Sequence, residues 1–161
     1  RLVLQPWELS DATALARLTQ DEGFVEFSTF SPMDIDQAAA FLEARLPLCQ
    51  SGFGIWAVWH HDQIIGNVQL LKQTLDDSQE TLPELGYRLQ KTSWGQGFAS
   101  EAASALRDYA TNTLQCNPIH AFIDLNNHRS QSVARKLGFL EGPTARFKGS
   151  DIRVWSYSLA V

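Results

Sequence analysis

Glu84-Leu85-Gly86-Tyr87-Arg88-Leu89-Gln90-Lys91-Thr92-Ser93-Trp94-Gly95-Gln96-Gly97-Phe98-Ala99-Ser100-Glu101-Ala102 is the stretch on which the architecture turns. Its first six residues alternate, with Leu85, Tyr87 and Leu89 on one side and Glu84, Gly86 and Arg88 on the other, which predicts a strand whose polar side faces a cleft. From 98 to 114 the period changes: Ala99, Ala102, Ala103, Leu106 and Ala110 form one helical stripe, small enough to lie close to a sheet. The loop between them contains glycines, which permit positive φ and close backbone approach, and it opens a helix whose free amides and dipole favour anions. Two uses of such a loop stand side by side: a phosphate or pyrophosphate cradle, and a tight turn in which the glycines serve conformation only. A dinucleotide fingerprint competes, because Gly95 to Ser100 approximates it and Asp124 ends the next strand. Against it, five residues separate Leu89 from Gly95 and only one strand–helix–strand unit is present. No Walker A lysine follows the glycines, which excludes an ordinary P-loop nucleotidase.

Outward from this stretch, Leu2-Val3-Leu4 before Pro6 predicts a first strand, and Ser10 or Asp11 a cap for a helix carrying Leu15 and Leu18. Asp34 or Asp36 caps a second helix, where Ala38, Leu42 and Leu46 recur until Pro47 stops it. Strands 55–59 and 64–70 flank His60-His61-Asp62-Gln63 as a hairpin, and 28–34 and 72–83 read as polar loops. Pro118 introduces a further strand with Ile119, Ala121 and Ile123 on one face; a helix follows over about 130–137, ending in Arg135, Lys136 and Gly138. Strands near 139–148 and 152–159 close the order β-α-α-β-β-β-α-β-α-β-β. That order predicts an α/β (α+β) fold in one domain over residues 1–161, a mixed, mostly antiparallel sheet of about six or seven strands with about four helices.

Of 161 residues, 44% are hydrophobic, and 13 Lys+Arg against 18 Asp+Glu leave a formal charge of −5. The balance argues against nucleic acid or an anionic membrane as partner, and no apolar run approaches the roughly 18 residues that span a bilayer. Cys49 and Cys116 stand alone, and His60, His61, His120 and His128 share no metal-ligand spacing, so the expectation is a reduced, cytoplasmic protein without a metal.

The strand and glycine loop, followed by Asn127-His128-Arg129-Ser130-Gln131-Ser132-Val133-Ala134-Arg135-Lys136-Leu137-Gly138-Phe139, resemble the acetyl-CoA-binding core of the GNAT acetyltransferases, in particular the RimJ/RimL-like group with its N-x-x-S-x-x-V-x-x-K-L-G-F segment. Arg1 to Pro6 and Asp11 are similar to the opening of that group. The resemblance implies the GNAT fold and acetyl-CoA as co-substrate. Leu89 and Gln90 would pair with the pantetheine arm, while the amides of Thr92, Trp94, Gly95, Gln96, Gly97, Phe98 and Ala99 would hold the pyrophosphate. Asn127 would bind the cofactor or order water near the thioester. Thr92 departs from the Gln or Arg of many members, which removes a side-chain contact.

Acetyl transfer to an amine needs a base and an acid beside the thioester. By the same analogy Glu84 is the base, acting through water, and its bland alternative is an exposed strand carboxylate. Many members carry a tyrosine as acid where this chain has Ala134; Ser130 then takes the role, as in the RimJ/RimL-like group, its alternative being a helix cap. Phe27 and Phe30, with Phe24 and Met33, would line an acceptor pocket or pack in the core. Trp56, Trp59 and Trp155 read as sheet or interface residues. The expected reaction is transfer of acetyl to a primary amine by direct attack in a ternary complex, with a protein N-terminal α-amine of ribosomal-protein type as acceptor and a monomer or homodimer as the working unit. The alternatives are acetylation of a small amine or antibiotic, and a non-catalytic acyl-CoA or peptide binding module.

Overall fold

The computed structural model describes residues 1–160. Its order is β1 (Leu2–Pro6), α1 (Ala12–Thr19), α2 (Glu22–Val25), α3 (Ile35–Arg45), β2 (Gly54–His60), β3 (Gln63–Thr74), β4 (Thr81–Leu89), α4 (Phe98–Asn112), β5 (Ile119–Asp124), α5 (His128–Lys136), β6 (Leu140–Phe147) and β7 (Ser150–Tyr157). The seven strands form one sheet in the order β1-β2-β3-β4-β5-β7-β6. Every pair is antiparallel except β4–β5, which is parallel and registers only at Glu84↔His120. β3 and β4, in contrast, pair from Gly66↔Leu89 to Thr74↔Thr81. The sheet therefore splays beyond Glu84, and the edge of β4 facing β5 is open from there to Leu89.

The alternation along β4 decides what lies on either side. Leu85 and Leu89 enter the core beneath α4 and α5, where they meet Ala102, Ala103, Leu106 and Trp155. On the other face a second core joins α1, α2 and α3 around Leu18, Phe24, Ala38 and Leu42. The small-residue stripe of α4 is buried at Ala102, Ala103, Leu106 and Ala110 as its spacing predicts, and Ala99 is half-buried. Gly138 has φ +84, and the amides of Gly138 and Phe139 close the end of α5 on Arg135 and Ala134, a Schellman ending that turns the chain into β6.

Differences from the sequence reading are local. Residues 72–74 and 81–83 extend β3 and β4, so the polar loop is shorter than 72–83; Thr74 and Thr81 pair hydroxyl to hydroxyl across the ladder. A one-turn helix, α2, raises the helix number to five; Asp21 caps it at the Phe24 amide. Neither Ser10 nor Asp11 caps α1 by its side chain: Asp11 reaches back to the Glu8 amide in a preceding 3-10 turn. Asp34, not Asp36, caps α3 in a reciprocal box with Gln37. α5 begins at His128 rather than 130. Trp56, Trp59 and Trp155 are strand residues, and Trp155 is 1% exposed, which makes it core.

Candidate functional site

A cavity of about 720 Å³ runs beside the open edge of β4. At one end it is lined by Trp94, Gly95, Gly97, Phe98 and Ala99. Gly95 and Gly97 hold φ +74 and +81, which an L side chain adopts only with strain, and a Cβ on Gly95 would meet nothing within 4 Å. The loop thus leaves room above its own backbone. Gly97 is the N-cap of α4 and supplies no side-chain cap, and the first intrahelical bond there runs from Glu101 to Gly97. Amides of the first turn are left for an anion, which fits the pyrophosphate of a coenzyme A donor.

Hydrogen bonding sorts the predicted cofactor contacts. The Gln90 amide donates to the Ile65 carbonyl, so strand alternation turns the amide and carbonyl of Leu89 away from β3, toward the splay. The Trp94 indole already donates to that carbonyl at 3.0 Å, and the Leu89 amide faces the opening. Gln90 does not offer a comparable group: its carbonyl accepts from Ser93, its side-chain carbonyl from Arg17, and its side-chain amide donates to the Ser93 hydroxyl. Thr92 and Gln96 bond to each other at the exposed rim, outside the cavity lining.

Glu84 lines the cavity and is 5% exposed. Burial raises its pKa to about 7, against the opposing pull of a Gln69 hydrogen bond and the charges of Lys148 and Arg88. The Gln69 side-chain amide donates to Glu84 Oε2 at 3.1 Å. Gly86 keeps that contact open, since a Cβ there would stand 3.0 Å from Gln69 Cγ and 3.1 Å from Glu84 Oε1. A carboxylate so placed changes charge near neutrality, unlike the exposed strand residue that sequence alone also allowed.

Ser130 lines the cavity from α5. The N-cap of this helix is Asn127, whose Oδ1 accepts from the Ser130 amide at 3.1 Å, so capping does not occupy the serine hydroxyl. Among the described residues no hydrogen bond engages that hydroxyl. Tyr87 spans the splay from β4, its phenol donating to the Ser130 carbonyl at 2.7 Å, and burial lifts its pKa well above the ordinary range. Asn127 lines the cavity while spending its carbonyl on the cap.

Phe27 and Phe30 line the cavity together with Phe24 and Phe41. Phe24 is core at 1% exposure, and Phe30 stacks on it and meets the edge of Phe41. Sequence reasoning placed Arg88 on the cleft side of its strand and missed Gln69, Arg45 and Lys148, which arrive from other elements without a local pattern. Arg129, also missed, stacks over the Trp94 ring at 3.9 Å and pairs with Glu26. His60 meets the Phe98 ring at a tilt, and among the described residues no group of three or more His, Cys, Asp or Glu is placed to hold a metal. No helix among them is long and apolar enough to cross a membrane.

An uncapped helix start and a buried carboxylate on one cavity form an arrangement suited to group transfer. Residues 1–140 match the acetyltransferase (GNAT) domain, and the chain belongs to that family as an acetyltransferase. It is 31% identical over 168 aligned positions to the uncharacterized N-acetyltransferase p20 of Bacillus licheniformis, covering 99% of this chain and 92% of that one. An acetyltransferase structure from Agrobacterium tumefaciens is similar with a TM-score of 0.77 at 26% identity, over 99% of this chain and 91% of that one. RimL, described as a ribosomal L7/L12 α-N-protein acetyltransferase in complex with coenzyme A, shares the fold with a TM-score of 0.82 at 16% identity, over 98% and 94% of the chains.

Proposed function

We propose that the protein transfers acetyl from acetyl-CoA to the α-amine of a peptide or amino-acid-like acceptor by direct attack in a ternary complex. The observation that carries this reading is the single cavity joining the uncapped start of α4 to the buried Glu84. The amides of Gly95 and of Gly97 to Ala99 hold the pyrophosphate, the Trp94 amide being already engaged by the Lys91 carbonyl, and the Leu89 amide meets the pantetheine arm in the splay. The acceptor enters from the Phe27 and Phe30 side.

Glu84 takes the proton of the attacking amine, through water. Its pKa of about 7 suits an α-ammonium of about 7.7–8.0 better than a lysine near 10.4, because less free energy is lost in the transfer. As the new C–N bond forms and the C–S bond breaks, the Ser130 hydroxyl gives its proton to the departing sulfur and regains one from solvent. Asn127 and Tyr87 position Ser130 through its amide and carbonyl. The neighbourhood of RimL in fold supports a protein N-terminus as acceptor.

The test is thiol release from acetyl-CoA against peptides with free Ser or Ala N-termini, Nα-blocked lysine peptides and small amines. Turnover on the α-amines with little on lysine supports the reading. Tight coenzyme A binding without turnover on any amine overturns it in favour of a binding module.

A further inference from the structure

The acceptor end of the cavity carries more positive charge than an acidic chain would suggest. Arg45 at the end of α3, Arg88 on β4 and Lys148 in the β6–β7 turn all line it, close enough that Arg45 and Arg88 depress the Lys148 pKa. Burial alone has the larger effect on that pKa, and Glu84 opposes it. None of the three joins an ion pair among the described residues, whose pairs engage other side chains. Each is instead propped on an aromatic face: Arg88 lies 4.9 Å from the Phe30 ring centre and 5.6 Å from that of Phe24, Arg45 lies 5.0 Å from Phe41, and Lys148 lies 5.0 Å from Phe147. Ring faces orient a cation without neutralising it.

The placement is built. Asp76, in the turn between β3 and β4, accepts from the Lys148 and Gly149 amides at 2.8 Å each and clasps the turn that carries Lys148. Arg45 stands where the cavity meets a shallower groove lined by Phe30, Met33 and Gln37. Glu84 is the only carboxylate facing these cations from β4, and with a pKa near 7 it balances at most one of them. Lys148 is exposed at the rim and Arg45 and Arg88 are half-buried, so an anion entering among them gains charge-assisted hydrogen bonds from cations that no carboxylate has paired. In the proposed reading the coenzyme pyrophosphate sits elsewhere, at the start of α4.

We infer that Arg45, Arg88 and Lys148 form a carboxylate subsite, so that the acceptor is an amine bearing an acid group. This rests on the acetyl-transfer reading for the position of the amine but not for the binding of the acid. The carboxylate comes from an acidic side chain near a peptide N-terminus or from a small amino acid, and matched probes separate these sources.

Calorimetric titration of the coenzyme A complex compares Ser-Asp-amide with Ser-Asn-amide, and free serine with serinamide. The acidic member of at least one pair is expected to bind about tenfold or more tightly, as charge-assisted pairing implies. The dipeptide pair responding alone assigns a peptide acceptor; the amino-acid pair alone assigns a small one. Lys148→Gln and Arg45→Gln each shrink the ratio, acting through acceptor KM rather than kcat where turnover is seen, and Lys148→Glu shrinks it further. Acidic and neutral members binding equally, or neither binding, overturns the subsite. Acid-selective binding without turnover on any amine preserves the subsite and overturns the acetyl-transfer reading.

Discussion

The two ends of the cavity are built by different means. The region proposed for the donor is made of backbone: within residues 89–99 it offers the Leu89 amide, positive-φ glycines and the start of a helix. The region proposed for the acceptor is made of side chains that arrive from α2, α3, β4 and the β6–β7 turn, which are remote in sequence. A local backbone site tolerates changes of side chain and is vulnerable to changes of φ. A convergent site has the opposite sensitivities. Glu84 and Ser130 stand between them, one on each side of the splay.

The largest expected effect breaks the chemistry while leaving the donor end whole. Glu84→Gln lowers kcat/KM by about 10²–10⁴-fold, with coenzyme A affinity kept, as initial rates and calorimetry would show. In the parent protein kcat/KM rises with pH through about 7, where Glu84 deprotonates, and the variant loses that limb. Stability moves the other way. Because the folded-state pKa lies above the ordinary 4.5, Glu84 favours folding below that value and loses its contribution as pH rises through about 7. The Gln variant therefore melts higher than the parent at about pH 8, relative to their difference at about pH 4, in a thermal melt series.

Next in size, Ser130→Ala lowers kcat about a hundredfold, with Tm nearly unchanged because Asn127 and not Ser130 caps α5. An unchanged kcat would remove Ser130 from the chemistry. Gly97→Val tests the donor end alone: the residue must hold φ +81, at a cost of about 1–2 kcal/mol, and the displaced amides weaken coenzyme A binding by about tenfold. Equal losses at both ends would show that the regions are not separable. Smallest is Asn127→Ala, which costs about 1 kcal/mol of stability through the lost cap and lowers kcat only as far as it disturbs Ser130.

Legibility followed the same division. The strand alternation of 84–89, the small-residue stripe of α4 and the glycine-ended α5 were readable because each rests on contacts a few residues apart. The hairpin of β3 and β4 was read too short because polar Lys72, Gln73 and Thr81 look like loop residues yet pair across the ladder. Glu84 and Ser130 could be named by resemblance. Whether Glu84 is an exposed carboxylate or a buried base depends on Gln69 and on burial, and neither is written near it in the chain.

By itself, the sequence determined the order of the seven strands and the four longer helices, the loop that opens α4 and the family. Periodicity, glycine placement and helix ends act over short range, so the sequence carries them directly. Only the tertiary structure decided that β4 and β5 part beyond Glu84, that Gln90 is already committed, and that three cations of an acidic chain meet at one end of its cavity. Those facts depend on side chains meeting across the sheet, where charge and burial act through space and separation along the chain leaves no trace.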